Sequence, residues 1–419
     1  MSNCTISKST VSGNFTPPAS IPLAWRALWC ASIGQGGAFG NCPTHSDIKA
    51  ILRLGGQLGA DITVERNTVD ILAEGLPFPS ELLTCSLSSR ASRVAFPLAA
   101  IFDSGVKIKE FKIAGSALSG MDSIALDMGV RITKTPDEIF VSGPQIKTLI
   151  PLDNRAGAYW ASGLMMALPL SQQASVLAMD DFVRIHPSVI NTFEILTLFG
   201  IDYSFQTEEG TMTISPYQAY PARYVDIPAC WREGSYYLGA FVLCGKGEVA
   251  LSWGSNQPER EFWKIIFANK QIAFSSDGQT IIAKSSLPLS LPPMIDPRPF
   301  PSLIPLMMLF ATQSSKSTKI GPLVPISAPA LASARIMAAQ LNRLGAKITF
   351  EGSHINIPYS PLSGGIVDSQ KNGRVAMALG LAGLIAKSPV KIANADASDK
   401  YNKNFWQDLK TLGANVKIG

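Results

Sequence analysis

Apolar positions along this chain fall into two kinds of helical stretch. In 334–344, Ile336, Met337, Leu341 and Leu344 share one face, while Arg335, Gln340 and Arg343 take the other. That spacing predicts an amphipathic helix lying on a core. The second kind is almost uncharged and apolar all round, which predicts a helix buried on every side. Such stretches begin near Trp25, Ser92, Ala158, Ser235, Ser302 and Gly373.

The amphipathic stretches end in a recurring signal: an apolar residue, a glycine, then a β-prone run. It reads Leu58-Gly59-Ala60-Asp61-Ile62, Met128-Gly129-Val130-Arg131-Ile132, Phe199-Gly200-Ile201-Asp202-Tyr203, Leu344-Gly345-Ala346-Lys347-Ile348 and Leu412-Gly413-Ala414-Asn415-Val416. A sixth copy is expected in the long gap after Gly200. There Phe267-Ala268-Asn269-Lys270-Gln271-Ile272 places Asn269 where glycine stands elsewhere. Asparagine is the next-best residue for a left-handed helix end. The spacings are then 70, 71, 69, 76 and 68 residues. Each unit reads as strand, buried helix, strand, amphipathic helix, strand. Six units predict an α/β protein of two lobes with three units each, sheet-walled and with buried helices inside. Segments 9–20 and 217–228 read as crossovers between the lobes. The boundaries fall at 18–224 for one lobe, and at 1–17 plus 225–419 for the other. Two crossovers imply a hinge and a cleft.

Composition adds to this picture. The chain has 419 residues, 46% hydrophobic and 16% charged, with a net charge of +5. A globular domain is ordinarily about one quarter charged, and six uncharged helices account for part of the deficit. Disorder, collagen and coiled coils are excluded. A weak basic excess without any Lys/Arg block argues against a nucleic-acid partner. The apolar runs 163–170, 304–311 and 375–386 are too short to span a bilayer, so no membrane association is expected. The amino-terminal residues show no secretory signal. The six cysteines form no C-x-x-C pair, which fits reduced thiols and a cytoplasmic location.

Three buried helices open with arginine: Arg26, Arg93 and Arg374. Helix starts favour anions through their free N–H groups and dipole, and arginine adds a bidentate carboxylate or phosphate fork. These three are expected to line the cleft, unless each pairs with a local acid. His45, His186 and His354 lack metal-ligand spacing, so no metal is expected. Cys85 precedes a helix start and reads as an inert thiol. Asp180-Asp181 reads as a solvated loop. Gly34-Gln35-Gly36-Gly37 follows a helix instead of opening one, so it reads as a turn rather than a phosphate loop.

The six-fold unit resembles the EPSP synthase (3-phosphoshikimate 1-carboxyvinyltransferase) family over nearly the whole chain. Arg26-Ala27-Leu28, Ser46-Asp47-Ile48, Ser235-Tyr236-Tyr237-Leu238 and Arg374-Val375-Ala376-Met377-Ala378 carry the likeness, as does Lys400-Tyr401-Asn402-Lys403-Asn404-Phe405. The related UDP-N-acetylglucosamine enolpyruvyl transferases match less well locally. The resemblance implies a two-lobed inside-out α/β barrel of six βαβαββ repeats. It implies a reaction that moves the enolpyruvyl group of phosphoenolpyruvate onto shikimate 3-phosphate, without metal or cofactor.

The motif positions depart from that family. Its first motif, proline-glycine-serine-lysine-serine, meets Pro18-Ala19-Ser20-Ile21-Pro22 here; Ile21 replaces the lysine. The asparagine-serine-glycine-threonine loop meets Leu87-Ser88-Ser89-Arg90, and the serine-serine-glutamine motif meets Gly157-Ala158-Tyr159. Ser302 stands for the catalytic aspartate, Pro329-Ala330-Leu331-Ala332-Ser333 for lysine-glutamate-x-aspartate-arginine, and Asn372-Gly373-Arg374 for aspartate-histidine-arginine. The replacements are mostly apolar, while Arg26, Arg93, Arg374 and Lys400 remain as anion-binding candidates. Ile21, Asp47, Tyr159, Tyr236 and Ser302 are the expected cleft lining. The leading expectation is an enzyme recruited to a different reaction: a cyclisation, rearrangement or dehydration of a small acidic substrate with an apolar body. A non-catalytic ligand- or protein-binding relative, and the family reaction at a rearranged site, are the alternatives.

Overall fold

A computed structural model describes residues 3–75, 82–102, 105–112, 115–136, 138–142, 148–251, 257–267, 272–275, 278–285 and 287–419. The chain divides into two compact units, 19–228 and 1–18 with 229–419. Among the described residues, each has its own hydrophobic core and three four-stranded sheets.

All six sheets follow one plan. A parallel pair forms one side, and an antiparallel pair closes the other, a hairpin in five of the six. In the third, Leu149–Leu152 runs parallel to Ser175–Met179, which pairs antiparallel with Thr211–Ile214 and through it with Tyr203–Gln206. The parallel pair requires a crossover, and the buried helix Asn154–Ala167 supplies it. The repeat is therefore β-α-β-α-β-β.

The segments expected as plain crossovers contain strands. Val11–Phe15 runs parallel to Gly245–Val249 of the fourth repeat, although it precedes the helix of the first. Arg223–Asp226 runs parallel to Gly37–Gly40 of the first repeat, although it precedes the helix of the fourth. The two repeats thus exchange opening strands, so each crossover leaves a paired strand. The sixth sheet is completed by Cys4–Ser7 from the amino-terminal end, pairing with Val390–Ala393 and Asn415–Ile418.

The inner helices are buried all round. Every residue of Ile304–Thr312 is buried, as is every residue of Gly373–Ile385 except the last. They begin earlier than their apolar runs, at Ile21–Ser32, Ser89–Ala100, Asn154–Ala167 and Trp231–Cys244. Arg26 and Arg93 therefore lie in second turns, and only Arg374 sits in a first turn. Pro97 within Ser89–Ala100 has no N–H to offer the carbonyl of Arg93 one turn back. Gly163 of Asn154–Ala167 packs against that carbonyl, and a side chain there would collide with it.

The glycine signal matches the backbone. Gly59, Gly129, Gly200, Gly345 and Gly413 all have positive φ, from 68° to 102°, the left-handed conformation that releases a chain from a helix. Asn269 lies outside the described residues. Asp180 caps a short helix, Asp181–Arg184, by accepting from the Val183 N–H at 2.7 Å, which corrects the loop expectation. Ile33, Gly34 and Gln35 form a turn that leads through Gly36 into the strand Gly37–Gly40. No helix among the described residues is long and apolar enough to cross a membrane.

Candidate functional site

In unit 19–228, two histidines serve as helix caps. The Nδ1 of His45 accepts from the Asp47 N–H at 3.1 Å, and that of His186 accepts from the Ser188 N–H at 3.2 Å. The His186 cap places the helix Pro187–Phe199 beside two arginines. Arg26 is only 2% exposed. Its Nε donates to Ser162 Oγ at 3.1 Å and Thr192 Oγ1 at 2.9 Å, its Nη1 to Pro22 O at 2.7 Å, and its Nη2 to Ser188 O at 3.1 Å. Trp25 stacks on the guanidinium at 4.1 Å. The expected cleft cation is thus an internal cross-link between three helices.

Arg93 is held more loosely. Its Nη1 donates to Ser188 Oγ at 3.2 Å, and its guanidinium lies 4.2 Å over the Tyr159 ring. Its Nε is buried with no partner. Burial pulls this arginine down to about 10, with Tyr159 opposing; it stays protonated at neutral pH. Burial, then Arg93 and Arg26, pushes His186 down to about 3, so its ring is neutral and remains a cap acceptor. Tyr159 Oη donates to Ser89 O at 3.3 Å, and burial raises its own pKa. Asp47 stands at the edge of this cluster. It accepts from Ser88 Oγ at 3.0 Å and lies 3.6 Å from Arg90. Ile21 is half-buried against the core. Cys85 is fully buried, and burial pushes its thiol up to about 12, which makes it inert.

The other unit gathers Arg374, Lys400, Tyr236 and Ser302 with acids that sequence reasoning missed. Arg374 is 8% exposed and lies 4.2 Å over the Tyr401 ring. Lys400, exposed, sits 5.7 Å from the same ring. Tyr236, fully buried, donates to the Arg374 carbonyl at 3.5 Å. Glu233 Oε1 lies 3.8 Å from Arg374 Nη2. Glu259 accepts from Arg232 Nε at 2.7 Å and from Ser302 Oγ at 3.2 Å. Burial raises Glu233 despite Arg374 and Arg232. Burial also pushes Glu259 upward, but Arg232 outweighs it and holds that carboxylate below its ordinary range.

A register explains these partners. Counted from the capping residue, the second helical position is arginine in four of the six inner helices: Arg90, Arg155, Arg232 and Arg374. The described acids Asp47, Glu259 and Glu233 face three of them. Aligning the repeats on their caps, instead of on their apolar runs, would have exposed this signal in the sequence. Where the resemblance expects the motif arginine, Ser333 Oγ instead accepts from Asn372 Nδ2 at 2.7 Å and donates to Pro329 O at 2.9 Å. Ala330 and Leu331 pack on the core. Among the described residues, no group of three or more His, Cys, Asp or Glu is placed to hold a metal.

The family model of EPSP synthase (3-phosphoshikimate 1-carboxyvinyltransferase) matches residues 6–409. The chain belongs to the EPSP synthase family. A 3-phosphoshikimate 1-carboxyvinyltransferase from Clostridium acetobutylicum is 24% identical, with 99% of this chain and 98% of that protein covered. One from Methanopyrus kandleri is 23% identical, with 97% of each covered. The solved EPSP synthase of Acinetobacter baumannii superposes with a TM-score of 0.81 at 18% identity over the whole of both chains. The chain therefore has the EPSP synthase fold, with its βαβαββ units.

Proposed function

We propose that this chain is an enzyme of the EPSP synthase family that binds a small acidic substrate and carries out a reaction other than carboxyvinyl transfer. The observation that carries the binding half is Arg93. It is a charged arginine with a buried, unpartnered Nε, has no acid in hydrogen-bond contact, and is stacked on an aromatic ring. A buried donor left unpaired costs about 1–3 kcal/mol, which an anionic oxygen would relieve. Tyr159 offers an apolar surface beside the charge. Arg26 and Arg93 both act electrostatically on His186, so two cations share this region, while Arg374 and Lys400 provide cations in the other unit. The reaction half rests on the motif positions. Ser302 and Ala330 carry no carboxylate, and Ile21 carries no ammonium. Each missing acid or base removes a factor of roughly 10² to 10⁴ in rate.

The test is phosphoenolpyruvate binding to the wild-type chain and to Arg93→Ala. Loss of one charge-assisted contact predicts about tenfold to hundredfold weaker binding. Equal affinity would remove Arg93 from the site.

A further inference from the structure

Glu233 and Arg374 form an ion pair that is left incomplete. Both are buried, with about 10% of each side chain exposed, yet the nearest charged atoms stand 3.8 Å apart, beyond hydrogen-bond distance. Glu233 Oε2 and Arg374 Nη1 are each buried with no partner. The neighbouring pair shows that closure is possible in the same surroundings: Arg232 and Glu259 meet at 2.7 Å, with Ser302 as a second donor. The looser pair is also held in place. Tyr401 covers one face of the Arg374 guanidinium, and Tyr236 ties its backbone to the helix that carries Glu233. An unused donor and an unused acceptor therefore sit on one pair, and leaving each unmade is costly in a buried site.

We propose that an anion seated on the free edge of Arg374 drives Glu233 to take up one proton from solvent. The ligand's charge replaces that of Glu233 opposite the guanidinium, and two like charges cannot share it at close range. The proton goes to Oε2, which becomes a donor and needs an acceptor. The ligand class is thus a carboxylate with an adjacent oxygen. This inference rests on the reading of Arg374 as an anion-binding residue.

The groups facing Glu233 favour such a response. Arg374 approaches from the helix Gly373–Ile385, and Arg232 and Tyr236 lie on the helix of Glu233 itself. Glu259 adds negative charge from the helix Glu259–Phe267, and Cys230 precedes Glu233 with its thiol pushed up to about 12. Lys400 and Tyr401 stand on the far side of Arg374. Burial already works against the Glu233 charge, so adding an anion tips it further.

Calorimetric titration of the full chain with pyruvate, in two buffers of different ionisation enthalpy, counts the protons taken up. The probe's own carboxylate stays ionised from about pH 6 to about pH 8. One proton per pyruvate is expected in the wild type where the linkage is complete, with affinity falling about tenfold per pH unit. Glu233→Gln should still bind pyruvate, with no proton uptake and a flat pH profile. Binding without proton uptake, or uptake that survives in Glu233→Gln, overturns the inference. Failure of pyruvate to bind, or binding unaffected by Arg374→Ala, instead removes the anion role of Arg374, and the inference falls with it.

Discussion

Replacing Arg26 with alanine is expected to destabilise unit 19–228 by about 3–5 kcal/mol. The guanidinium makes four hydrogen bonds to neutral oxygens, from 2.7 to 3.1 Å, and stacks on Trp25. A hydrogen bond from a charged donor contributes about 1.5–3 kcal/mol net. Part of that sum returns on mutation. Ser162 and Thr192 remain bonded to each other at 2.7 Å, and Thr192 still donates to Ser188 O at 2.7 Å. The loss is enlarged by the cavity left between three helices. Urea unfolding followed by far-ultraviolet circular dichroism measures it, and Arg26→Lys, which keeps the charge but not the planar fork, should recover only part. An unchanged midpoint and slope for Arg26→Ala would refute the cross-link and return Arg26 to a purely ligand-facing role.

Acid should unfold this unit through His186, which is held neutral at about 3 against 6.5 in an unfolded chain. A depressed pKa favours the neutral form, so its stabilisation is present above pH 6.5 and is lost as pH falls towards 3. The ceiling is about 5 kcal/mol. His186→Asn keeps a capping side chain and should flatten that acid limb; an identical limb would show that other groups cause it. Gly163→Ala should cost about 1–3 kcal/mol by driving a methyl into the Arg93 carbonyl and to 2.8 Å from Pro97; thermal unfolding at wild-type temperature would contradict that packing. Cys85, with its thiol at about 12 and no exposed surface, should resist iodoacetamide in the native protein and react after denaturation. Rapid native labelling traced to Cys85 by mass spectrometry would show an open helix start.

The repeat was legible because its punctuation is chemical. A left-handed helix end needs glycine, so Gly59, Gly129, Gly200, Gly345 and Gly413 mark it whatever surrounds them. The buried helices were legible because a helix apolar on every face has no stable home but an interior. Their starts were less so, because Ser88-Ser89-Arg90 is polar and precedes one apolar run, and Arg232 and Glu233 interrupt another near its start. That offset concealed Arg90, Arg232 and Glu233. The exchange of Val11–Phe15 and Arg223–Asp226 between repeats was illegible for a different reason: strand partners are chosen by the assembled fold, not by neighbouring residues. Asp180 looked like a loop residue because a helix of four residues, Asp181–Arg184, leaves almost no period to detect.

The most direct test of this account gives the chain shikimate 3-phosphate and phosphoenolpyruvate and measures release of inorganic phosphate. On the proposed reading, the chain should release none above the enzyme-free background. Turnover at ordinary enzyme rates, about 1–10³ per second, would contradict the account and make this chain a carboxyvinyl transferase with a rebuilt site.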